Sequence, residues 1–342
     1  MKVARLYGYG DVRVEETSVP EVGPGEALVR TRASGVCSGD VMPWYIEKKA
    51  PLVLGHEPAG EVVEVGGGAA SFKPGDRVFV HHHAPCMNCR HCRRGDYVQC
   101  QTWRQSRIIP GGVSELILVP RVNLENDTLL LPEGVSFEDG TLVEPLACVL
   151  KGIRRAGFTR GSTALVIGLG AMGILHVLAL RHLGAGRITG ADLVPFRLEK
   201  ARELGADDVI DASSEDTAGA FAEMTSGWKA DLVVVGPGSV EALGTGLSCA
   251  APGGTVLMFT PVRPEETLAL RPNEMYFADV NLVTSYSCGP TETREALSMI
   301  EAGAATAEKV VTHRFPIEEA SEAYRLTAEA RDSLKCLVVF GG

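Results

Sequence analysis

Short runs in which apolar and polar positions alternate fill the first part of the chain. VRVEE, EALVRTRAS, AGEVVEVG, DRVFVHH and SELILV have this pattern and are rich in β-branched residues, which predicts strands. Turns rich in proline and glycine, at 22–25 and 73–76, separate some of them. We therefore expect residues 1–150 to form a β-rich, barrel-like domain.

A second pattern begins near residue 138, where apolar strand-like runs alternate with helix-like segments. ALVIG, RITGAD, DDVID, ADLVVVG and GTVLMFT are predicted strands, and segments between them, such as AMGILHVLALRHLG and FRLEKARELGA, are predicted helices. This alternation predicts an α/β domain with a doubly wound parallel sheet.

The last part of the chain is strand-like again. KVVTHRFP precedes the predicted helix IEEASEAYRLTAEA and the predicted strand LKCLVVF. Because the parallel sheet is complete without these elements, we expect them to rejoin the N-terminal domain. The prediction is one domain at 1–150 and 291–342, a second domain at 151–290 inserted into it, and a cleft between the two.

Net charge and hydropathy exclude some classes of binding partner and indicate the cellular compartment. A net charge of −10 over 342 residues and a pI near 5.4 argue against nucleic acid and anionic membranes as partners. The N-terminus lacks the apolar segment of a signal peptide. The most apolar stretch, 164–180, contains His176 and several glycines and is shorter than the about 20 residues that a membrane-spanning helix needs. We expect a cytoplasmic protein.

Cysteines cluster at 86–100 with the spacing C-x2-C-x2-C-x7-C. Thiolates this close in sequence can converge tetrahedrally on one Zn²⁺ and leave no ligand position open, as in a structural zinc site. Disulfides and free buried thiols are the alternatives, but an intracellular chain with this spacing favours metal. The predicted ligands are Cys86, Cys89, Cys92 and Cys100.

A glycine motif, GLGAMG at 168–173, lies between a predicted strand and a predicted helix. Its glycines let the backbone approach a pyrophosphate at the helix N-terminus, where N–H groups and the helix dipole favour anions. Asp192 ends the next predicted strand, at the spacing that the dinucleotide fingerprint requires. The predicted loop residues are Gly168, Gly170, Ala171, Met172 and Gly173.

Asp192 also indicates which dinucleotide binds. Its carboxylate can accept hydrogen bonds from both ribose hydroxyls and repels a 2′-phosphate, which favours NAD over NADP. Arg197 could accommodate that phosphate, but its predicted role is packing beside the adenine. His176 and His182, on the helix after the glycine motif, are predicted packing or surface residues.

Cys37, His56 and Glu57 are candidates for a second, catalytic zinc site, which takes three protein ligands and leaves one position for water or substrate. Glu144 opens the helix that leads into the second domain and would be a fourth ligand or would hydrogen-bond the bound water. Asp40 can fix the tautomer of His56 that binds metal. Spacing alone equally allows structural roles for each of these residues.

His81, His82 and His83 form a run just before the cysteine cluster. Adjacent side chains on a strand alternate between its two faces, so the three cannot all bind one ion. The favoured interpretation is a strand end leading into the cluster, with at most two of the rings facing a site.

These motifs together resemble the zinc-containing medium-chain dehydrogenase/reductase family nearly end to end. The resemblance rests on the cysteine cluster, the glycine motif, GVCSGD at 35–40, GHEPAG at 55–60, GDRV at 75–78 and HRFP at 313–316. It implies a GroES-like β-rich catalytic domain with an inserted Rossmann domain. Glu144, in a Glu-Pro pair, is similar to the sorbitol (polyol) and threonine dehydrogenase branch, whereas ordinary alcohol dehydrogenases usually place a cysteine there.

The family's site residues can be carried over to matching positions. The resemblance implies two zinc ions per chain, one structural and one catalytic. It places Cys37, His56 and Glu144 about the catalytic ion, with Glu57 able to enter its ligand shell. It also implies that the segments around Cys148, Thr260 and Ser285 border the nicotinamide.

The chain departs from the family at the proton relay. The family usually carries Ser or Thr two residues after the first cysteine ligand, where this chain has Gly39, and the histidine often found three residues later is replaced by Met42. The relay is therefore predicted to use Ser38, a water, Glu57 or the substrate's own hydroxyl.

The predicted function is zinc-dependent transfer of hydride between the secondary hydroxyl of a polyol, sugar or hydroxy-amino acid and NAD. Alternatives are a dehydrogenase of simple alcohols, a ketone reductase of the same fold, and a non-catalytic nucleotide-binding protein, which only the change at Gly39 favours. Trp44 and Tyr45 either line the substrate pocket or pack. The segments GTVLMFTPV and NEMYFADVNLVTSY suggest pairing with a second chain, hence a homodimer or homotetramer.

Overall fold

A computed structural model describes residues 1–69 and 71–341. It consists of two compact units. The first unit joins Met1–Ala147 to Cys288–Gly342, and the inserted unit is Cys148–Ser287. The second is therefore inserted into the first in sequence, because the chain leaves the first unit and returns to it.

Strands and helices follow one another along the chain in both units. The strands are β1 (Lys2–Gly8), β2 (Asp11–Glu16), β3 (Ala27–Gly35), β4 (Leu52–Val53), β5 (Pro58–Val65), β6 (Arg77–Val80), β7 (Leu116–Val119), β8 (Thr128–Leu130), β9 (Thr163–Ile167), β10 (Arg187–Asp192), β11 (Asp208–Asp211), β12 (Ala230–Val235), β13 (Ala250–Met258), β14 (Asn281–Thr284), β15 (Val311–Pro316) and β16 (Lys335–Val339). The helices are α1 (Pro43–Ile46), α2 (Arg90–Arg93), α3 (Gln101–Gln105), α4 (Arg121–Asp127), α5 (Phe137–Gly140), α6 (Val143–Arg155), α7 (Ala171–Leu183), α8 (Pro195–Glu203), α9 (Thr217–Met224), α10 (Val240–Cys249), α11 (Pro272–Ala278), α12 (Pro290–Glu301), α13 (Ala307–Val310) and α14 (Ala320–Glu329).

The first unit is built on a mixed sheet with the strand order β15-β16-β3-β5-β6-β8, and β7 pairs with β3. A smaller sheet has the order β2-β1-β4. Strand β3 pairs antiparallel with both β5 and β16. Since Cys37 follows β3, His56 and Glu57 precede β5, and Lys335 begins β16, this pairing brings the chain segments that carry them to one end of the sheet.

The inserted unit contains a parallel sheet with the order β11-β10-β9-β12-β13-β14. Its central strand β9 is an apolar run, buried at Ala164–Ile167, as expected for strands covered by helices on both faces. The strand order reverses direction between β9 and β12, and ligands of such sheets bind at the carboxyl ends of the strands at this point.

Within 1–69 and 71–341, no helix is both long enough and apolar enough to cross a bilayer. The apolar segment at 164–180 is divided between β9 and α7, which explains its hydropathy.

Candidate functional site

The cysteine cluster folds as a small lobe around α2, a 3-10 turn at Tyr97–Gln99 and α3. The Sγ–Sγ distances are 3.5 Å for Cys89–Cys92, 3.6 Å for Cys86–Cys100 and 4.0 Å for Cys86–Cys92. Four thiolates about 2.3 Å from one Zn²⁺ in tetrahedral geometry would lie about 3.8 Å apart, whereas a disulfide requires about 2 Å. The arrangement therefore fits a zinc ion and excludes disulfides among these residues.

Packing and backbone hydrogen bonds stabilise the lobe. Cys92, Cys100 and Trp103 are buried together, and the N–H of Cys86 donates to Cys100 Sγ at 3.4 Å. Burial alone would raise the pKa of the Cys100 thiol, but backbone N–H groups of Cys86 and Trp103 outweigh it and lower that pKa to about 6. These N–H groups thus favour the thiolate of Cys100, which is the form that binds metal.

A second donor set lies at the end of β3 and the start of β5. The ligand atoms of Cys37, His56 and Glu57 all lie within 4.8 Å of one another. Cys37 caps the 3-10 turn Ser38–Val41, and its Sγ accepts a hydrogen bond from the N–H of Gly39 at 3.3 Å. The structure thus brings together three residues that the sequence singled out as candidate catalytic ligands.

Buried negative charge surrounds His56. Its Nδ1 lies 3.4 Å from Oδ2 of Asp40, and Asp40 is itself buried. Burial alone would lower the pKa of His56, but Asp40, Cys37 and Glu144 together raise it well above its ordinary value. The set therefore creates a negative potential that favours a cation at this position.

The sequence did not identify the partner of Glu57. Its carboxylate lies 2.5 Å from the ammonium of Lys335 on β16, and the side chains of Glu57 and Lys335 are only 1% and 3% exposed. A Cβ atom at Gly35 would come within 1.8 Å of Glu57 Oε2, so only glycine leaves room for the pair. A lysine inside the otherwise apolar run LKCLVVF was the signal that could have found it.

Glu144 is also buried, and its charge is one of those that raise the pKa of His56; the ligand atoms of His81 and His82 lie within 4.8 Å of its carboxylate and of each other. The histidine run directly follows the end of β6 at Val80, as the strand-end interpretation predicts, and two of its three rings group together. Their side chains do not follow strand alternation, because the run lies outside β6. His83 turns elsewhere: its Nδ1 donates to the Ser106 carbonyl at 2.7 Å.

Two positions define the open side of the Cys37 turn. Ser38 is exposed, and a Cβ added at Gly39 would meet only Cys37 Sγ, at an ordinary 3.5 Å. Trp44 and Tyr45 lie on α1, which follows the turn, and both are half-buried. The ammonium group of Lys48 lies over the ring of Trp44, and that of Lys49 over the ring of Tyr45. The backbone at residue 39 therefore tolerates a Cβ, although the sequence has glycine there.

In the inserted unit, the glycine motif connects β9 to α7. Gly168 has a φ of +86°, which favours glycine, and a Cβ at Gly173 would lie 1.9 Å from the Gly168 carbonyl oxygen. Gly170 is the N-cap of α7, and Ala171 and Met172 form its first turn. The turn thus has the tight backbone and exposed helix N-terminus that bind a pyrophosphate.

Asp192 ends β10 beside this turn. Its Oδ2 accepts a hydrogen bond from Leu169 N–H at 2.6 Å, and its Oδ1 accepts one from Val194 N–H at 2.9 Å. Arg197 lies 3.7 Å from the same carboxylate, and a Cβ at Gly170 would be 3.7 Å from its guanidinium. Asp192, Arg197 and the glycine motif are therefore one cluster.

The other residues of the inserted unit lie as follows. Thr260 and Ser285 follow β13 and β14, and Cys148 lies on α6; all three are half-buried. His176 is buried and its Nδ1 donates to the Met172 carbonyl at 2.7 Å, while His182 is exposed. His176 and His182 are thus a packing residue and a surface residue, as the sequence predicts.

Comparison with known protein families gives one match in the N-terminal part of the chain and a second that includes most of the inserted unit. A model of the alcohol dehydrogenase GroES-like domain matches residues 23–127, and a zinc-binding dehydrogenase model matches 171–302. Sheep (Ovis aries) sorbitol dehydrogenase is 32% identical over 97% of this chain and 94% of its own length.

Solved structures agree. The 2R,3R-butanediol dehydrogenase of Bacillus subtilis has a TM-score of 0.87 at 27% identity and covers 99% of both chains. A Sinorhizobium meliloti protein described as a zinc-binding dehydrogenase and solved with NADP has a TM-score of 0.88 at 27% identity, over 99% of this chain and 98% of its own. The chain is an oxidoreductase with a GroES-like domain and a Rossmann-type sheet, and it belongs to the zinc-containing medium-chain dehydrogenases, in their sorbitol dehydrogenase-like branch.

Proposed function

We propose that the protein is a zinc-dependent dehydrogenase that oxidises a secondary hydroxyl of a polyol with NAD. The observation that carries the proposal is the convergence of Cys37, His56 and Glu57 within 4.8 Å. A thiolate, an imidazole and a carboxylate are all ligands that Zn²⁺ accepts, and three of them leave a position open.

Neighbouring side chains support this donor set. Asp40 faces Nδ1 of His56 and so holds the tautomer whose Nε2 binds metal. Lys335 holds Glu57 by an ion pair, so the carboxylate can be drawn into or released from the ligand shell. When bound, zinc would lower the pKa of a substrate hydroxyl by acting as a Lewis acid.

The substrate proton must leave without the family's usual serine or threonine. Ser38 is exposed next to Cys37, and a Cβ at Gly39 would meet only Cys37 Sγ, at 3.5 Å. We infer that Ser38 or a water beside Gly39 carries the proton outward.

The nucleotide is assigned to the glycine motif and Asp192 of the inserted unit, with Cys148, Thr260 and Ser285 beside the nicotinamide. NAD is favoured because the Asp192 carboxylate would repel a 2′-phosphate. Arg197 partly offsets this repulsion at 3.7 Å, and a similar Sinorhizobium meliloti protein is solved with NADP, so the preference for NAD is expected to be moderate.

Polyols are proposed because the similar proteins are named sorbitol dehydrogenase and 2R,3R-butanediol dehydrogenase. Both names denote substrates with hydroxyls on adjacent carbons. A second hydroxyl beside the reacting one is therefore the expected substrate feature.

The test is a screen of the zinc-loaded protein with NAD and NADP over sorbitol and other polyols, 2,3-butanediol, threonine and simple alcohols, followed by reduced-nicotinamide absorbance. We expect the highest kcat/KM with a polyol or vicinal diol and NAD. Turnover confined to simple alcohols, or none with any substrate, would contradict the proposal.

Self-association is proposed through the free edge of the parallel sheet. Strand β14 ends the sheet, and Tyr276 and Phe277 on the adjacent α11 are 79% and 80% exposed. Light scattering should give a dimer or tetramer, and Phe277→Glu should shift the mass toward the monomer; an unchanged mass would contradict this surface.

A further inference from the structure

Three adjacent histidines follow β6 directly, and two of them have a clear structural partner. The Nδ1 of His81 is hydrogen-bonded to Oδ2 of Asp127 at 2.6 Å, and both side chains are fully buried. The Nδ1 of His83 is hydrogen-bonded to the Ser106 carbonyl at 2.7 Å. Contacts within the first unit therefore account for these two rings.

His82, between them, differs from both neighbours. Its Nδ1 is buried and has no hydrogen-bond partner in the part of the chain that the structure describes, although buried polar groups are nearly always paired. The residue as a whole is half-buried, whereas His81 and His83 are buried. Part of His82 is therefore open to a ligand.

His82 lies against the proposed catalytic donor set. Its ring centroid is 4.9 Å from that of His56, and one of its nitrogens lies within 4.8 Å of a carboxylate oxygen of Glu144. A substrate whose reacting hydroxyl is held at the donor set would therefore have this imidazole beside it.

The chemistry of the ring indicates which part of a substrate it recognises. An uncharged imidazole has one N–H donor and one lone pair, so it can donate to a hydroxyl or accept from one. A hydroxyl on the carbon next to the reacting one supplies such a partner. A simple alcohol does not, and a site that hydrogen-bonds a substrate hydroxyl discriminates against analogues that lack it, because its polar group is left unpaired.

We propose that His82 is a specificity-determining residue, which hydrogen-bonds the hydroxyl beside the reacting one and so favours vicinal diols and polyols over simple alcohols. The inference rests on the proposed function, because it concerns the substrate of the same site. His82 is assigned a contact with substrate and no part in binding the metal.

The experiment compares 2,3-butanediol with 2-butanol, which have the same carbon skeleton and a secondary hydroxyl and differ in the neighbouring hydroxyl. The wild type should have the higher kcat/KM with the diol. His82→Phe keeps an aromatic ring but no hydrogen-bonding atom, and should lower the ratio of the two kcat/KM values roughly tenfold or more. His82→Leu should give the same loss, which keeps the test valid if the Phe variant does not fold.

Two further variants test the role of the hydrogen bond. His82→Asn keeps a side chain that donates and accepts, and should recover part of the preference for the diol. His83→Gln is the matched control: it alters the neighbouring histidine, which bonds to the Ser106 carbonyl, and should leave the ratio unchanged.

Zinc analysis of the same variants separates a substrate contact from a metal ligand. His82→Phe and His82→Leu should retain the zinc content of the wild type. An unchanged ratio of kcat/KM values in these variants, or the loss of a zinc ion from them, would overturn the role of His82 and leave the proposed function standing. A wild type that turns over neither substrate, or shows no preference for the diol, would overturn both.

Discussion

Two clusters of candidate metal ligands in the first unit have similar side-chain types in opposite surroundings. The cysteine lobe takes all its ligands from 86–100 and surrounds them with buried apolar side chains. The Cys37 set takes its ligands from the ends of two strands and surrounds them with charges: Asp40 behind His56 and Lys335 beside Glu57.

The difference corresponds to the two proposed roles: a structural one for the cysteine lobe and a catalytic one for the Cys37 set. A closed tetrahedral site has no position for substrate. An open site needs ligands that are held firmly but can exchange, and buried charges in pairs provide that at a cost in stability. The Cys37 set should therefore be sensitive to charge, and the lobe to loss of a ligand.

The largest expected effect is on activity. Cys37→Ser should lower kcat/KM by roughly 10³-fold or more, because it removes a ligand of the reactive metal. Cys249→Ser, which alters a buried thiol of the inserted unit, is the matched control and should be active. Steady-state kinetics with metal analysis would show this; full activity in the Cys37 variant would remove that residue from the site.

Breaking the ion pair should be the next largest effect. Lys335→Met leaves the Glu57 carboxylate buried without its cation and should lower the free energy of unfolding by roughly 3–5 kcal/mol. The double variant Glu57→Gln/Lys335→Met should recover part of this loss, because it buries no charge. Urea denaturation measures both, and equal stabilities of the single and double variants would argue against the pair.

The lobe should respond in stability more than in chemistry. Cys89→Ser should release the structural ion and cost roughly 3 kcal/mol, which for a unit of this size lowers Tm by roughly 6–12 °C. Activity per folded molecule should fall far less than in the Cys37 variant. If instead Cys89→Ser abolished turnover while Tm stayed unchanged, the contrast between the two regions would fail.

The smallest expected effect is that of restoring a hydroxyl at residue 39, where the family's proton relay usually has Ser or Thr. Gly39→Ser places a hydroxyl near Cys37 in a space that accepts a Cβ, and should raise kcat roughly two- to fivefold if proton release limits the rate. Gly39→Ala has the same Cβ without the hydroxyl and should not. Equal rates in the two variants would show that the hydroxyl has no part in the relay.

Much of the fold follows from local pattern. The strands β9 to β13 correspond to the apolar runs ALVIG to GTVLMFT, because a buried parallel strand needs only a few consecutive apolar residues. Strand β1 (KVARLYG) and helix α4 (RVNLEND) were not predicted. Neither has clear apolar periodicity. Strand β1 forms a hairpin with β2, and the N–H of Ala4 also bonds to the distant Val113 carbonyl.

The candidate site was also predictable only in part from the sequence. The lobe was predictable from spacing, since its ligands are neighbours in sequence. Lys335 was not, because the pairing of β16 with β3 that brings it to Glu57 crosses the inserted unit. The grouping of Glu144 with His81 was not either, because the two residues are distant in sequence. The interpretation of 81–83 as a strand end was reasonable for the histidines' position, but it could not show that Asp127 orients one of them.

The pairing of Glu57 with Lys335 has a consequence for biosynthesis. A chain made from its N-terminus produces Glu57 early, but its counter-ion only after the entire nucleotide-binding unit has been translated. Until then the glutamate has no ammonium to enter the interior with, so β5 is expected to stay hydrated at that end on the ribosome. The ion pair beside the Cys37 donor set is therefore completed late, after the inserted unit has been made.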